Sequence, residues 1–135
     1  MALTQCMTNS FKNELPQAVH NFTITTGHVF KIAMYTSTAT WDTTTTAYSA
    51  TNEVGNSGTY AAGGFAWTAA QNITPTNTTT TTFWSWSANP AWTSATITAR
   101  SAIIYNSSTS NKAVGVLDFG ADKTSTNGTF TITLP

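Results

Sequence analysis

The sequence predicts an all-β protein, and three observations support that prediction. Threonine accounts for 31 of the 135 residues, and this β-branched residue favours strands over helix interiors. Apolar and polar residues alternate in several segments, most strictly in the final GTFTITLP, which is the period of a half-buried strand. Turn-forming residues separate these segments at intervals of about 8–12 residues, a spacing typical of sandwiches. We therefore expect a β-sandwich, jelly-roll-like, of about seven or eight strands with a short N-terminal helix.

The chain is expected to form a single domain over residues 1–135, with an N-terminal helical segment at 1–22 and the sandwich at 28–135. In the first segment apolar residues recur at spacings of three and four, which places them on one helical face: Leu3, Met7, Phe11, Leu15, Val19 and Phe22. Because Pro16 removes a helical hydrogen bond, we expect a helix over 3–15 and then a kink or a second short turn. Packing on the sheet is the favoured role of this helix, and docking on a neighbouring subunit is the alternative.

The rest of the chain carries strand patterns. Phe30, Ile32 and Met34 share one face of the strand expected over 28–35. The strongest hairpin signal joins 94–106 to 112–120, because the intervening SSTSN consists of turn formers. Pro75 is expected to end a strand, and GADKTSTNG is expected to form a connection. The other expected strands are 47–54, 65–73, 78–87 and 128–135.

Charge is scarce, which argues against some classes of partner. Charged residues make up 7% of the chain, against about 25% in an average soluble domain, and the formal net charge is zero. Such a surface has no electrostatic attraction for phosphates, so nucleic-acid binding is not expected, while zero net charge favours association. No apolar run reaches the roughly 18 residues of a membrane span, and the N-terminus lacks signal-peptide features. We therefore expect no membrane partner and synthesis in a cytoplasm.

Residues able to carry catalysis or bind metals are few. His20 and His28 have no cysteine or carboxylate between them, whereas a zinc site needs about four ligands, so each is expected to be satisfied by a backbone partner. Asp118 and Arg100 are expected to form a cross-strand ion pair, and Cys6 to be a buried small hydrophobe. We therefore predict that the protein is not an enzyme and uses no cofactor or metal.

Tryptophan is the remaining candidate for function. Trp84 and Trp86 share one face of a strand, so we expect both to be buried in the core or both to be presented to a partner, since tryptophan is enriched at interface centres. Stacking on a sugar is a further possibility, with nearby amides at Gln71, Asn72 and Asn77. The candidate interface residues are Trp41, Trp84, Trp86 and Trp92.

Four segments together resemble the small structural proteins of tailed bacteriophages: LTQCMTNSFKNELPQAVHNF, FKIAMYTSTATWDTTTTAYSATNEV, ATITARSAIIYNSSTSNKAVGVLDFG and GTFTITLP. The resemblance covers most of the chain and lies in overall layout, so no functional residue is carried over from it. It implies a capsid cement or decoration protein with a jelly-roll-type sandwich. The implied partners are the major capsid protein and copies of the chain itself, as a homo-oligomer on the virion surface after synthesis in the bacterial cytoplasm.

Two other functions stay open. The chain could be a neck, tail or fibre-associated protein of the same virion, or a carbohydrate-binding module for host attachment. Copy number in the virion separates the first of these from a cement protein, and loss of glycan binding on Trp84→Ala would support the second.

Overall fold

The computed structural model describes residues 3–134, and these form seven strands in two sheets with one short α-helix. The all-β fold class, the sandwich-like arrangement and the short N-terminal helix are thereby confirmed, whereas the jelly-roll topology stays a prediction. The elements are β1 (Cys6–Met7), α1 (Asn9–Glu14), a 3-10 turn (Leu15–Gln17), β2 (Phe30–Tyr35), β3 (Phe65–Trp67), a second 3-10 turn (Ala69–Gln71), β4 (Thr74–Asn77), β5 (Thr82–Ser85), β6 (Ala91–Asn106) and β7 (Lys112–Thr131).

The main sheet has five strands in the order β1-β7-β6-β2-β3, and β4 and β5 form a separate two-stranded sheet. Every neighbouring pair is antiparallel. β1 pairs only with Gly115 and Val116 of β7. Among the described residues, the outer edge of β7 from residue 117 onwards therefore has no partner strand. The second half of the β6–β7 hairpin is therefore a two-stranded ribbon, and its Trp92 packs against Tyr60 and against Phe65 of β3.

The β6–β7 hairpin is longer than the sequence predicts. Its strands have 16 and 20 residues and meet at the predicted SSTSN turn, where Ser110 and Asn111 have positive φ. The predicted connection at 120–128 is wrong, because β7 continues through it. Gly120 (φ 75°) and Asn127 (φ 44°) lie where the pairing of β7 with β6 shifts register, as residues in β-bulges do.

The N-terminal segment begins with a strand, so the predicted helix over 3–15 is wrong at its start. Thr8 follows β1 and caps α1, because its hydroxyl accepts a hydrogen bond from the Phe11 N–H at 3.3 Å. The same hydroxyl donates to the Ala113 carbonyl at 3.1 Å, which fixes the helix start against β7. The predicted second short turn is confirmed at Leu15–Gln17, with Pro16 near its first position, where proline is tolerated.

Both faces of the main sheet are buried. One face carries Phe30, Ile32 and Met34, as predicted, and packs with Phe11 of α1. The other face carries Ala33 and Tyr35 and is covered by the loop after β2. Two further predictions are wrong. The strand expected over 47–54 is absent, and this segment makes only isolated bridges. Pro75 does not end a strand but lies inside β4, an edge strand in which the missing N–H of proline costs no ladder hydrogen bond.

Candidate interaction surface

The candidate tryptophans fall into different environments. Trp92 is 3% exposed and packs against Tyr60 with ring centroids 5.3 Å apart, so it belongs to the core and not to a contact surface. Trp41 lies edge-on to Tyr35 at 4.9 Å on the opposite face of the sheet. Trp86 stacks on the buried Trp67 at 4.5 Å, whereas Trp84 is 49% exposed.

Trp84 and Trp86 do share a face, but the expectation that both are buried or both presented is wrong. β5 ends at Ser85, so Trp86 leaves the strand and reaches the core while Trp84 remains at the surface. Both line what we call the aromatic groove, a cavity of about 280 Å³ between α1 and the β4–β5 hairpin. Its lining residues are Met7, Phe11, Phe22, Ile73, Thr82, Trp84, Trp86 and Val114.

The β4–β5 hairpin is separate from the main sheet and lies at the surface. Every residue from 74 to 84 is exposed, and no charged side chain occurs in the sequence between Glu53 and Arg100. Phe83 is 46% exposed and lies opposite Thr76 across the hairpin, on the face away from Trp84. A two-stranded hairpin is marginally stable on its own in water, and here Thr82 and Trp84 adjoin Met7 and Phe11 of the same chain in the aromatic groove.

A second groove follows the ribbon of β7 and has a volume of about 480 Å³. Phe119, Phe130 and Ile132 give it an apolar wall, and Lys123 is its one charged residue. Phe130 and Ile132 are each 8% exposed, as their strict alternation with threonine predicts. We call it the threonine groove, because its other lining residues are hydroxylic: Thr124, Ser125, Thr129, Thr131 and Thr133.

Both histidines lie in one polar cluster at the turn end of the β6–β7 hairpin. The side-chain nitrogen of Asn106 is 3.1 Å from His20 Nδ1 and 2.9 Å from His28 Nδ1. Its oxygen accepts the Ser108 N–H at 3.1 Å, so the amide nitrogen donates to both rings. The expectation of backbone partners is wrong for His20, whose hydrogen bonds in the described residues go to side chains.

Glu14 joins this cluster to the helix. Its carboxylate accepts from His20 Nε2 at 2.8 Å and from the Lys112 ammonium. Burial alone raises the pKa of the Glu14 carboxyl, but the hydrogen bonds from Lys112 and His20 outweigh burial and leave the pKa below its usual value. Because the His20 side chain is 0% exposed, the Glu14–His20 pair is closed to a substrate. The ion pair of Glu14 with Lys112 fastens α1 to β7.

A second polar cluster, which the sequence did not indicate, surrounds Glu53. Its carboxylate accepts hydrogen bonds from Tyr48 at 2.6 Å, from Tyr60 at 2.8 Å and from the Gly63 N–H at 2.7 Å. Burial, followed by the hydrogen bond to Glu53, raises the pKa of Tyr48 to about 12. No periodic pattern predicts contacts between a glycine-rich loop and a carboxylate several residues away, so only the structure reveals this cluster.

The other charged contact was predicted. Arg100 Nε lies 3.0 Å from Asp118 Oδ1, which confirms the cross-strand ion pair. The hydrogen bond from Arg100, with one from the Gly120 N–H, holds the pKa of the Asp118 carboxyl below its usual range. Burial raises the pKa of the Cys6 thiol, although this residue is only partly buried in β1.

In residues 3–134, no group of three or more histidine, cysteine or acidic side chains is placed to hold a metal ion. Within the same residues, no helix has the length and apolar character that crossing a bilayer requires. The chain matches no known family, no curated protein and no solved structure in comparisons of sequence and fold.

Proposed function

We propose that the chain is a non-enzymatic structural protein of a bacteriophage virion, of the cement or decoration type. In this role it binds and stabilises the capsid lattice, with the major capsid protein and copies of itself as partners. The observation that carries the proposal is the uncharged hairpin arm at 74–85, which exposes Phe83 and Trp84. Large exposed aromatic residues on an uncharged element are typical of a surface that a protein partner covers.

The physical properties of the arm suit a lattice contact. Threonine hydroxyls supply hydrogen bonds without the desolvation cost of buried charges. A net charge of zero leaves little repulsion between closely packed copies. The assignment to a phage virion rests on the resemblance in sequence layout.

Quantitative mass spectrometry of gradient-purified virions tests this function. We expect a copy number close to that of the major shell protein, and we expect attachment to survive high salt because apolar contacts are screened little. A copy number lower by about one or two orders of magnitude would move the chain to the neck, tail or fibres. Complete absence from virions would overturn the structural role.

Carbohydrate binding is the second candidate, and the half-exposed indole of Trp84 is the observation that favours it. Thr82 lines the same groove, and its hydroxyl lies 2.7 Å from the Asn77 amide oxygen, so polar groups adjoin the ring. Asn72 is buried and therefore cannot serve a sugar at the surface. A glycan array probed with the wild type and with Trp84→Ala would separate the two functions, because only a lectin loses a specific glycan signal while remaining folded.

A further inference from the structure

The outer face of the β4–β5 hairpin is a compact uncharged knob. Phe83 lies at its centre, opposite Thr76, and Thr74 lies opposite Ser85 on the same face. Trp84 points to the other side, into the aromatic groove of its own chain. The ring of Phe83 is therefore the large apolar group on the outer face of this arm, while Trp84, although 49% exposed, lies on the face towards the aromatic groove.

The threonine groove has the complementary chemistry on the same chain. The half-buried Phe119 gives most of its apolar wall, to which Phe130 and Ile132 add the 8% of each residue that stays exposed. An aromatic ring suits this wall, and the hydroxylic residues of the groove match Thr76 and Thr74 on the face of Phe83. The groove runs along the part of β7 whose outer edge has no partner strand in the described residues. An extended segment placed there could also pair with the β7 backbone.

Charge also favours this pairing. Lys123 is exposed in the groove and makes no ion pair within residues 3–134. The knob brings no cation, because the nearest charged residues in sequence are Glu53 and Arg100. An ammonium group near an aromatic ring is attracted to the ring face, so Lys123 would favour Phe83 and would repel a cationic occupant.

We infer that a second copy of this chain occupies the threonine groove, with its Phe83 inserted between Phe119 and Ile132. Knob and groove are different surfaces, so the contact is heterologous and each copy offers one of each. Such contacts build rings or open chains rather than closed two-fold dimers. The inference rests on the proposed function in assuming that copies pack against one another, and it names the surfaces that meet.

Sedimentation velocity on the purified chain tests the pairing with one variant blocked on each side. Phe83→Lys places a cation on the knob, and Thr129→Arg fills the groove from an exposed position. We expect the wild type to form species larger than dimers as concentration rises, and each variant alone to stay monomeric. An equimolar mixture of the two variants should form heterodimers only, because one intact knob and one intact groove remain.

The control is Ile24→Lys, which changes another exposed apolar residue (48% exposed) and should assemble like the wild type. Circular dichroism confirms that each variant is folded. A wild type that stays monomeric at high concentration would overturn the inference. A mixture of the two variants that stays monomeric, although the wild type assembles, would also overturn it, because it would indicate a two-fold contact in place of a heterologous one. Copy number in virions reports separately on the proposed function, so the two can fail independently.

Discussion

Asn106 determines how the two histidines are held. Its amide oxygen is occupied by the Ser108 N–H, so its nitrogen must face His20 Nδ1 and His28 Nδ1. Both Nδ1 atoms then accept, and the ring proton of His20 sits on Nε2, where it faces Glu14. One buried amide thus sets the tautomer of a ring that connects β6 to α1.

Asn106→Asp tests this assignment, because aspartate has the same shape but cannot donate to either ring. Asn106 is 0% exposed, so the change leaves a buried charge facing two acceptors. We expect the free energy of unfolding to fall by about 3 kcal/mol, measured by urea denaturation. Asn111→Asp in the exposed turn is the matched control and should stay within about 0.5 kcal/mol of the wild type. Equal effects in both variants would contradict the role of Asn106.

At the scale of elements, the tight approach of β3 to β2 depends on Gly64. This residue has φ 74°, and a Cβ there would lie 1.9 Å from the Ile32 carbonyl oxygen. Only glycine adopts this conformation without strain and leaves room for the neighbouring backbone. Gly64 immediately precedes β3, which pairs with β2 from Ile32 to Phe30.

Gly64→Ala should therefore destabilise the protein by about 2–3 kcal/mol. Gly55→Ala is the control, because a Cβ at Gly55 meets nothing within 4 Å, and its effect should lie within about 0.5 kcal/mol. Thermal unfolding of the two variants gives the comparison. A neutral Gly64→Ala would mean that the backbone before β3 can move away from β2.

Local pattern predicted those elements whose partners are close in sequence. The hairpin around SSTSN and the buried Phe130 and Ile132 followed from turn chemistry and strict alternation. Long-range pairing decided the rest. β7 passes through GADKTSTNG because β6 supplies hydrogen-bonding partners such as Thr98 for Thr124, and the pairing of Cys6 with Val116 replaces the first helical turn.

The candidate site follows the same division. Alternation predicted that Trp84 and Trp86 share a face, and both line the aromatic groove. By the same alternation Phe83, between Thr82 and Trp84, falls on the opposite face, and this is the signal in the sequence for the knob. The threonine groove brings Phe119 and Lys123 together with residues 129–133 through the curvature of one long strand, and sequence spacing carries no information about that curvature.

At the scale of the whole molecule, the phenols of all four tyrosines are tied into the fold. Tyr35 donates to the Ser49 carbonyl at 2.7 Å and Tyr105 to the Gly63 carbonyl at 2.8 Å, while Tyr48 and Tyr60 donate to Glu53. Burial is the largest cause that raises the pKa of each phenol above the ordinary value of 10. The fold therefore favours the neutral phenols, and ionisation opposes folding.

The stability of the protein should accordingly fall at alkaline pH. A phenol whose pKa is raised by folding contributes its full stabilisation below pH 10, the unfolded value, and loses it as the pH rises towards the folded value, which for Tyr48 is about 12. We expect constant urea stability between pH 7 and 9, a steep fall above pH 10, and tyrosinate absorbance that appears together with unfolding. Tyr48→Phe removes one of the four titrations and should make the fall shallower. Tyrosinate absorbance near pH 10 in a folded chain would contradict the buried phenols, because it would require water to reach Tyr35, Tyr60 or Tyr105 without disrupting the loops that cover them.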